Sequence, residues 1–405
     1  MENKEFQESF QSIKDYRAQV QEIVSGRMRS AMTDMVYQLF EEELEFICGP
    51  RYSRGSEYYR AGSDQGSVYI NGQRAAIKKP RVKKNGKEVE VKTYSALRDF
   101  DILSERIKEH MIRGVSTRDY EPLLDEISSG TGLKKSTVST AFVKASRGAL
   151  DDFNSRELSK LDFVALMIDG VGFGNKTVMV AMGIDVEGQK HILGLREGST
   201  ENWELCRDLF ESLISRGLKV DEKYIFVIDG SKALRKAINK VFGSDSAVQR
   251  CVRHKERNVL KYLPKERHQE FRRRWKLVHG CVDYYKAEQE YNDLVDWVGR
   301  INDAALSSLE EANKETLTIL KFKIPPLLKK TLLSTNPIES AFSYTQYRVD
   351  RIKNWRSSPD QVGRWAATVL LHAEKKFRTV RGFMHLPKLK EQLKNLDIEK
   401  QSEVA

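Results

Sequence analysis

Phe163-Val164-Ala165-Leu166-Met167-Ile168-Asp169-Gly170 and Lys223-Tyr224-Ile225-Phe226-Val227-Ile228-Asp229-Gly230 are two versions of one pattern. Each is an apolar run of strand length closed by Asp-Gly. Between them the sequence predicts two more strands, over 176–184 and 189–195, with turn signals at Gly172-Phe173-Gly174-Asn175 and Glu187-Gly188. A helix follows, with Ser199 or Thr200 as its cap, Trp203, Cys206, Phe210 and Leu213 along one face, and Gly217 beyond its end. After Asp229-Gly230, Ser231 opens another helix that buries Leu234, Ala237, Ile238 and Val241, and 247–252 reads as a fifth strand.

The resulting order, β-β-β-α-β-α-β, is an antiparallel meander followed by strands that need helical crossovers. It is the order of the ribonuclease-H-like fold. Downstream, 255–333 reads as charged amphipathic helices, 337–355 as a helix starting at Pro337, and the stretch from Pro359 to about residue 377 as another; from about 387 the chain is a charged tail expected to fray. Upstream, 29–47 has apolar residues at helical spacing and stops before Gly49-Pro50, so it packs either internally or against a second subunit. Residues 51–73 read as loop. Residues 75–94 read as a hairpin, because Asn85-Gly86 suits the positive φ angles of a type I′ turn. Two or three short helices are expected over 114–145, with breaks at Gly130-Thr131-Gly132; Lys134, Lys135, Ser136, Thr137 and Ser139 would suit a recognition helix of a helix-turn-helix. Helix pairs joined by a glycine turn are also common in proteins that never touch DNA.

At 405 residues the chain is long enough for several domains, and 40% hydrophobic with 31% charged residues suits a soluble globular protein. Neither a membrane-spanning apolar run nor a secretory leader is evident, so the protein is expected to stay in the cytoplasm. Cys48, Cys206, Cys251 and Cys281 lack framework spacing and read as reduced thiols. The net charge of +11 favours a polyanionic partner. Two runs concentrate it: 250–276 holds eleven basic against three acidic residues, and 74–92 holds eight against two. Each alone would read as a solvated face. Together, and with Tyr262, Phe271 and Trp275 interleaved, they read as surfaces that track phosphates.

Asp169 and Asp229 end apolar strands in equivalent places, and neighbouring strand ends could share one ion. Either alone would read as a routine turn or cap. A third carboxylate, Glu339, lies in Ser334-Thr335-Asn336-Pro337-Ile338-Glu339, where Asn336 as N-cap, Pro337 at the first helical position and Glu339 at the third also make a capping box. Hard oxygen ligands with few nitrogen or sulfur donors favour Mg²⁺ or Mn²⁺ over Zn²⁺, and two such ions support in-line displacement at phosphorus. Cys251-x-x-His254 could be paired with His279 and Cys281 as a zinc site, but the His279-x-Cys281 spacing is unusual for structural zinc.

In order, Met167-Ile168-Asp169-Gly170, Val227-Ile228-Asp229-Gly230, Cys251-Val252-Arg253-His254 and Ser334-Thr335-Asn336-Pro337-Ile338-Glu339-Ser340 resemble prokaryotic Mutator-type DDE transposases, with the three acids 60 and 110 residues apart. The resemblance covers about residues 30–380. It implies that Asp169, Asp229 and Glu339 are the catalytic metal ligands, that Cys251 and His254 form a signature near the site, and that the long second gap is a helical insertion. The fold class expected is α/β: a ribonuclease-H-like core with an all-α insertion between the second Asp and the Glu, plus an N-terminal DNA-binding region. The expected division is 1–49, helical and suited to dimerisation; 50–112, a basic hairpin region; 113–158, helix-turn-helix-like; 159–254 with 334–380, the catalytic core; 255–333, the insertion; and 381–405, the charged tail. The expected function is that of an insertion-element transposase, working as a homodimer with Mg²⁺ or Mn²⁺ (two ions) on double-stranded DNA, at terminal inverted repeats and target, in the bacterial cytoplasm on the chromosome. Candidate DNA contacts are Lys78, Lys79, Arg81, Lys134, Lys135, Arg272, Arg273, Arg274 and Lys276. The rival readings are a ribonuclease-H-like nuclease or junction resolvase without strand transfer, a sugar-kinase-like ATPase, and a catalytically dead DNA-binding regulator.

Overall fold

The computed structural model describes residues 2–52, 57–70, 73–98, 108–109, 111–113, 135–173, 176–350, 352, 355 and 360–404. The chain forms two compact units, Met1–Arg147 and Gly148–Ala405. It is a mixed α/β protein with two sheets, one in each unit.

In the first unit, helix α1 (Glu2–Cys48) buries Val36, Phe40, Leu44 and Cys48, one residue per turn, against a three-stranded antiparallel sheet. That sheet comprises β1 (Tyr58–Ile70), β2 (Gln73–Lys84) and β3 (Lys87–Val89), and supplies Val68, Ile77 and Val82 to the core. The Asn85-Gly86 turn takes φ +50° and +81°, as a type I′ turn requires. The stretch 51–73, read as loop, instead carries β1. Its strand character was hidden because polar and glycine residues alternate where only one face meets α1. Glu43 of α1 accepts the N–H groups of Lys92 and Thr93 at 2.7 and 2.8 Å, and so caps α2 (Lys92–Arg98) from outside it. The helix-turn-helix expected over 114–145 lies mostly outside the described residues, Lys134 included; its final part belongs to a single helix, α3 (Lys135–Ser155).

The second unit is layered around a five-stranded sheet of order β6-β5-β4-β7-β8. β4 (Phe163–Phe173), β5 (Lys176–Asp185) and β6 (Lys190–Gly198) form the antiparallel meander, and β7 (Ile225–Ile228) and β8 (Ala247–Arg250) add in parallel beside β4. Helices α4 (Trp203–Ser215) and α5 (Lys232–Phe242) are the crossovers. They bury Leu205, Cys206, Leu209, Phe210, Leu213, Leu234, Ala237 and Ile238 on one face of the sheet. Asn202, and neither Ser199 nor Thr200, caps α4, its side chain accepting from the Leu205 N–H at 2.9 Å. Ser231 caps α5 as expected.

From β8 the chain runs through α6 (Val252–Leu260), α7 (His268–Gly280), α8 (Tyr284–Gly299), α9 (Asp303–Glu310), a 3₁₀ segment (Asn313–Lys321) and α10 (Pro326–Leu332). Phe271 and Trp275 are buried within these helices, so the aromatics taken as part of a phosphate-tracking run are core residues; Tyr262 is half exposed. The 3₁₀ segment closes the open edge of β8. Buried Gln249 donates to the Thr316 carbonyl at 2.8 Å and accepts from the Ile319 N–H at 2.9 Å, and Thr318 donates to the Val248 carbonyl. Then α11 (Asn336–Val349) and α12 (Gln361–Glu374) pack on the meander strands. The tail does not simply fray at 387: α13 (Leu386–Val404) buries Leu386, Leu389 and Leu393 and anchors the nearly buried Lys390 to Asp162 and Glu222.

One buried ion cluster ties β8 to the helical run. Arg250 and Lys255 are each 4% exposed at the side chain, and both pair with Glu311, at 2.8 and 2.6 Å. Arg250 also donates to the Asp229 carbonyl at 3.1 Å, so the loop after β7 hangs on the same cluster. Removing Glu311 leaves buried Lys255 without its carboxylate and Arg250 with only the longer contact to Glu315, at 3.8 Å. Glu311→Ala should therefore lower stability by about 3 kcal/mol in urea unfolding, while Glu311→Gln, which keeps two acceptor contacts, should lose clearly less. Equal losses would place the cost in packing instead of charge.

Candidate metal and nucleotidyl-transfer site

Asp169 and Asp229 are brought together by strand pairing. The parallel β4–β7 register matches Ile168 with Ile228, so the next residues on the two strands are Asp169 and Asp229, on chains about 4.8 Å apart. The two are not equivalent in context. Asp229 follows the last residue of its strand, whereas β4 continues to Phe173 and Asp169 lies within it, paired with Val180 of β5. Asp169 was expected at a strand end; the antiparallel partner carries the strand past it. The glycines that follow have no positive φ, and a side chain at either would be tight. A Cβ on Gly230 would lie 3.1 Å from Arg250 Nη2, and one on Gly170 3.1 Å from Met179 Sδ.

Glu339 arrives from α11, and its setting differs from a capping box. Thr335, not Asn336, is the N-cap residue. Its N–H points to Cys251 Sγ at 3.4 Å instead of to Glu339, and its hydroxyl lies 2.8 Å from Glu339 Oε1. The carboxylate is thus held by the hydroxyl of the N-cap residue and not by its N–H. Thr335 is fully buried, and its hydroxyl is also 3.4 Å from both Cys251 Sγ and His254 Nδ1. Cys251 and His254 sit at the start of α6. His254 Nδ1 is 3.7 Å from Glu339 Oε1, and Arg257 Nη2 is 3.7 Å from Oε2. Among the described residues, Cys251, His254 and Glu339 form a group whose donor atoms all lie within 4.8 Å of one another.

The electrostatics are those of crowded carboxylates. Asp169 is 7% exposed, and its carboxyl is pushed up to about 7, first by burial and then by the neighbouring Asp229 charge, with Glu339 adding to it. His254 and the Gly170 N–H, which donates to Oδ1 at 2.9 Å, pull the other way. Asp229 Oδ1 accepts the Ser231 N–H at 2.9 Å. His254 is raised to about 9 by its hydrogen bond with Cys251, against the effect of burial, and is assisted by Asp169 and Glu339. Burial acts to raise Cys251, but hydrogen bonds from His254 and Thr335 outweigh it and hold the thiol below its usual range. Glu201, which sequence reasoning passed over, is raised by burial and by Asp229, with Ser231 opposing as a hydrogen-bond partner. Its signal was an acidic residue just ahead of the helix that follows the third strand.

His279 and Cys281 take no part in this group. His279 Nδ1 lies 2.9 Å from the Trp275 carbonyl and is driven down to about 4 by burial, while Cys281 turns its thiol to the Leu277 carbonyl. Glu374, at the end of α12, forms a bidentate pair with Arg156 at 2.8 and 3.0 Å.

The candidate DNA contacts differ in how far their charge is already paired within each unit. Arg273 and Arg274 both pair with Glu270, at 2.8 and 2.7 Å, and Arg272 with Glu256 at 3.3 Å. Arg274 also covers the Trp297 ring, and Lys276, like Arg272 and Arg273, is exposed. On the first unit's sheet, Lys79 lies over the Tyr94 ring, Arg81 pairs with Glu88 and Asp64, and Lys78 is exposed. The side chain of Lys135 lies outside the described residues.

Comparison with known proteins adds an independent finding. The family model described as "Transposase, Mutator family" matches residues 1–379. The chain is 27% identical over 345 residues to the transposase for insertion sequence element IS256 in transposon Tn4001 of Staphylococcus aureus, covering 82% of this chain and 85% of the relative. It is 27% identical over 253 residues to the transposase for IS6120 of Mycolicibacterium smegmatis, covering 61% and 76%. To the transposase for ISRM5 of Rhizobium meliloti it is 31% identical over 247 residues, covering 58% of each chain.

The raised Asp169 carboxyl has a consequence for stability that needs no substrate. Its folded value of about 7 exceeds the ordinary 3.8, so the folded state binds that proton more tightly. The stability it contributes is complete below about pH 4 and is lost as the pH rises through about 7. In metal-free protein Asp169→Asn should raise Tm at about pH 8, by a few degrees, and change it much less at about pH 5. A shift that is the same at both pH values would mean that the Asp169 charge is not crowded in the folded state.

Proposed function

The chain belongs to the Mutator family of transposases and is a transposase of an insertion element; on that premise we propose that it cuts and joins DNA strands with divalent metal held by Asp169, Asp229 and Glu339. The observation that carries the reading is Asp169, nearly buried beside two further carboxylates from separate elements, with its negative form disfavoured until a cation arrives. The strand order β6-β5-β4-β7-β8, with the meander antiparallel and the last two strands parallel, fits a ribonuclease-H-like core, and the helices between β8 and α11 fit an all-α insertion. Hard oxygen donors suit Mg²⁺ or Mn²⁺, two ions being expected. Such ions, when bound, activate a water or 3′-hydroxyl and stabilise the leaving oxygen of an in-line displacement.

The chain's own residues supply the rest. Arg250, through the Asp229 carbonyl, fixes the loop that presents the Asp229 carboxylate. Thr335 sets the rotamer of Glu339, and the bond between them joins α11 to the start of α6 through Cys251. His254, cationic at neutral pH, and Arg257 flank Glu339 and offset part of the negative charge of the site. Those cations also favour an approaching phosphate backbone.

The partner is double-stranded DNA, at terminal inverted repeats and target. The basic face of β2 and Lys276 are suited to phosphate contacts, and the helix begun at Lys135 to an adjoining role. A homodimer would present two element ends, and exposed Tyr16, Val20, Ile23 and Val24 on α1 suit a helix-to-helix contact. No helix among the described residues is long and apolar enough to cross a membrane.

Asp169→Asn, Asp229→Asn and Glu339→Gln should each reduce strand cleavage and strand transfer on element-end DNA with Mg²⁺ by at least about a thousandfold while DNA binding persists. Cleavage without joining in the unaltered protein would favour a nuclease or resolvase instead. Near-normal cleavage by Glu339→Gln would remove that residue from the site.

A further inference from the structure

Helix α6 runs past Glu339, and its outward face carries a line of cations. Arg253, Arg257 and Lys261 stand four residues apart, and all three are exposed, the arginines at 58% and 60% of the side chain. Lys261 is the C-cap residue and keeps helical φ and ψ of −62° and −28°, so the spacing holds to the end. Positions four apart on a helix turn by only about 40° and rise by about 6 Å. Lys255, Val259 and Leu260, on the other side of α6, are buried. The middle cation lies at the candidate carboxylate. Arg257 Nη2 is 3.7 Å from Glu339 Oε2, with Arg253 one turn before it and Lys261 one turn after.

These charges are not used up inside the protein. Elsewhere in the same basic run, Arg250 and Lys255 are buried against Glu311, and Arg273 and Arg274 are hydrogen-bonded to Glu270. Along the ridge, Arg253 reaches Glu256, and Arg257 reaches Glu339, only at 3.7 Å, beyond hydrogen-bond length. Lys261 donates to the neutral Asn258 side chain at 3.2 Å. Among the described residues, none of the three is hydrogen-bonded to a carboxylate. Like charges four residues apart on a helix repel and weaken it. A polyanion laid along the ridge relieves that repulsion, and a row of cations about 6 Å apart has the pitch of successive phosphates on one extended strand.

We propose that Arg253, Arg257 and Lys261 are the phosphate track of the cleaved strand: Arg257 faces the reacting phosphate beside Glu339, and Arg253 and Lys261 hold the phosphates on either side of it. The proposal rests on the placing of Glu339 in the reaction centre, and it adds the line along which the strand crosses, parallel to α6. Holding the backbone on both sides of the bond to be broken leaves the reacting phosphorus little freedom, as an in-line displacement requires. Contacts of this kind read no base, so one track serves element end and target alike.

The test uses full-length protein and duplex DNA carrying the element end, with affinity measured over a range of salt and cleavage followed with Mg²⁺. Arg253→Ala and Lys261→Ala should each weaken binding by about three- to tenfold and lower the slope of log affinity against log salt by about one. Arg257→Ala should slow cleavage at saturating DNA by at least about thirtyfold, and Arg257→Lys should recover part of that loss. A methylphosphonate, which removes one phosphate charge, locates the contacts. Beside the cleaved bond it should weaken binding by the unaltered protein, and cost nothing further in whichever of Arg253→Ala and Lys261→Ala lacks the matching cation. Unchanged salt slopes in both alanine variants overturn the proposal, as do methylphosphonate penalties as large in the variants as in the unaltered protein. Asp169→Asn, run alongside, keeps the two readings apart. Its loss of cleavage with unchanged slopes in the ridge variants removes the track alone; normal cleavage by it with lowered slopes in those variants removes the metal site and leaves the track.

Discussion

Parallel pairing of β4 with β7 sets two aspartates side by side at the rim of a hydrophobic sheet, and like charges at that spacing repel. The fold does nothing to relieve this by separation. It buries Asp169 further and brings Glu339 toward the same region. The apolar core that the sheet forms with α4 and α5 holds the carboxylates where unfolded chain would not. Strain of this kind is expected where a site is preorganised for a cation.

The surrounding structure is a set of braces for those few oxygens. Arg250 carries the largest share, because one guanidinium contacts the Asp229 and Gly230 carbonyls and the Glu311 carboxylate. Through it the helical run after β8 is mechanically part of the site, although none of its helices past α6 contributes a candidate ligand. Cys251 plays a comparable part at the other side. Its N–H extends the sheet by bonding to the Ile228 carbonyl, and its sulfur accepts from Thr335, which in turn holds Glu339. The Cys251-x-x-His254 pairing thus links the strand that presents Asp229 to the helix that presents Glu339.

What could be read from the sequence was what repeats or alternates. The end of β7 before Asp229-Gly230, the meander, both crossover helices and the Asn85-Gly86 turn all follow local rules that hold within a few residues. What escaped depended on partners far along the chain. β1 looks like loop because its partner, β2, and its cover, α1, supply the apolar surface. The tail looks like a frayed helix until Leu386, Leu389 and Leu393 meet the core. Glu339 sits in a capping-box sequence, and only the distant Cys251 takes the Thr335 N–H and frees the carboxylate for another role. The arginines of 272–274 show the reverse error, since a basic run in sequence is largely paired with Glu256 and Glu270 in space.

Two donor sets compete for metal around Glu339: the oxygen set with Asp169 and Asp229, and the mixed set with Cys251 and His254. Their chemistry differs, because thiolate and imidazole select softer ions than carboxylates do. Anomalous scattering from crystals of the protein soaked in Mn²⁺ decides between them directly. The account predicts manganese peaks bounded by the carboxylates of Asp169, Asp229 and Glu339, with Cys251 and His254 bonded only to each other and to Thr335. A peak ligated by Cys251 and His254, with Asp169 and Asp229 left unliganded, would contradict it.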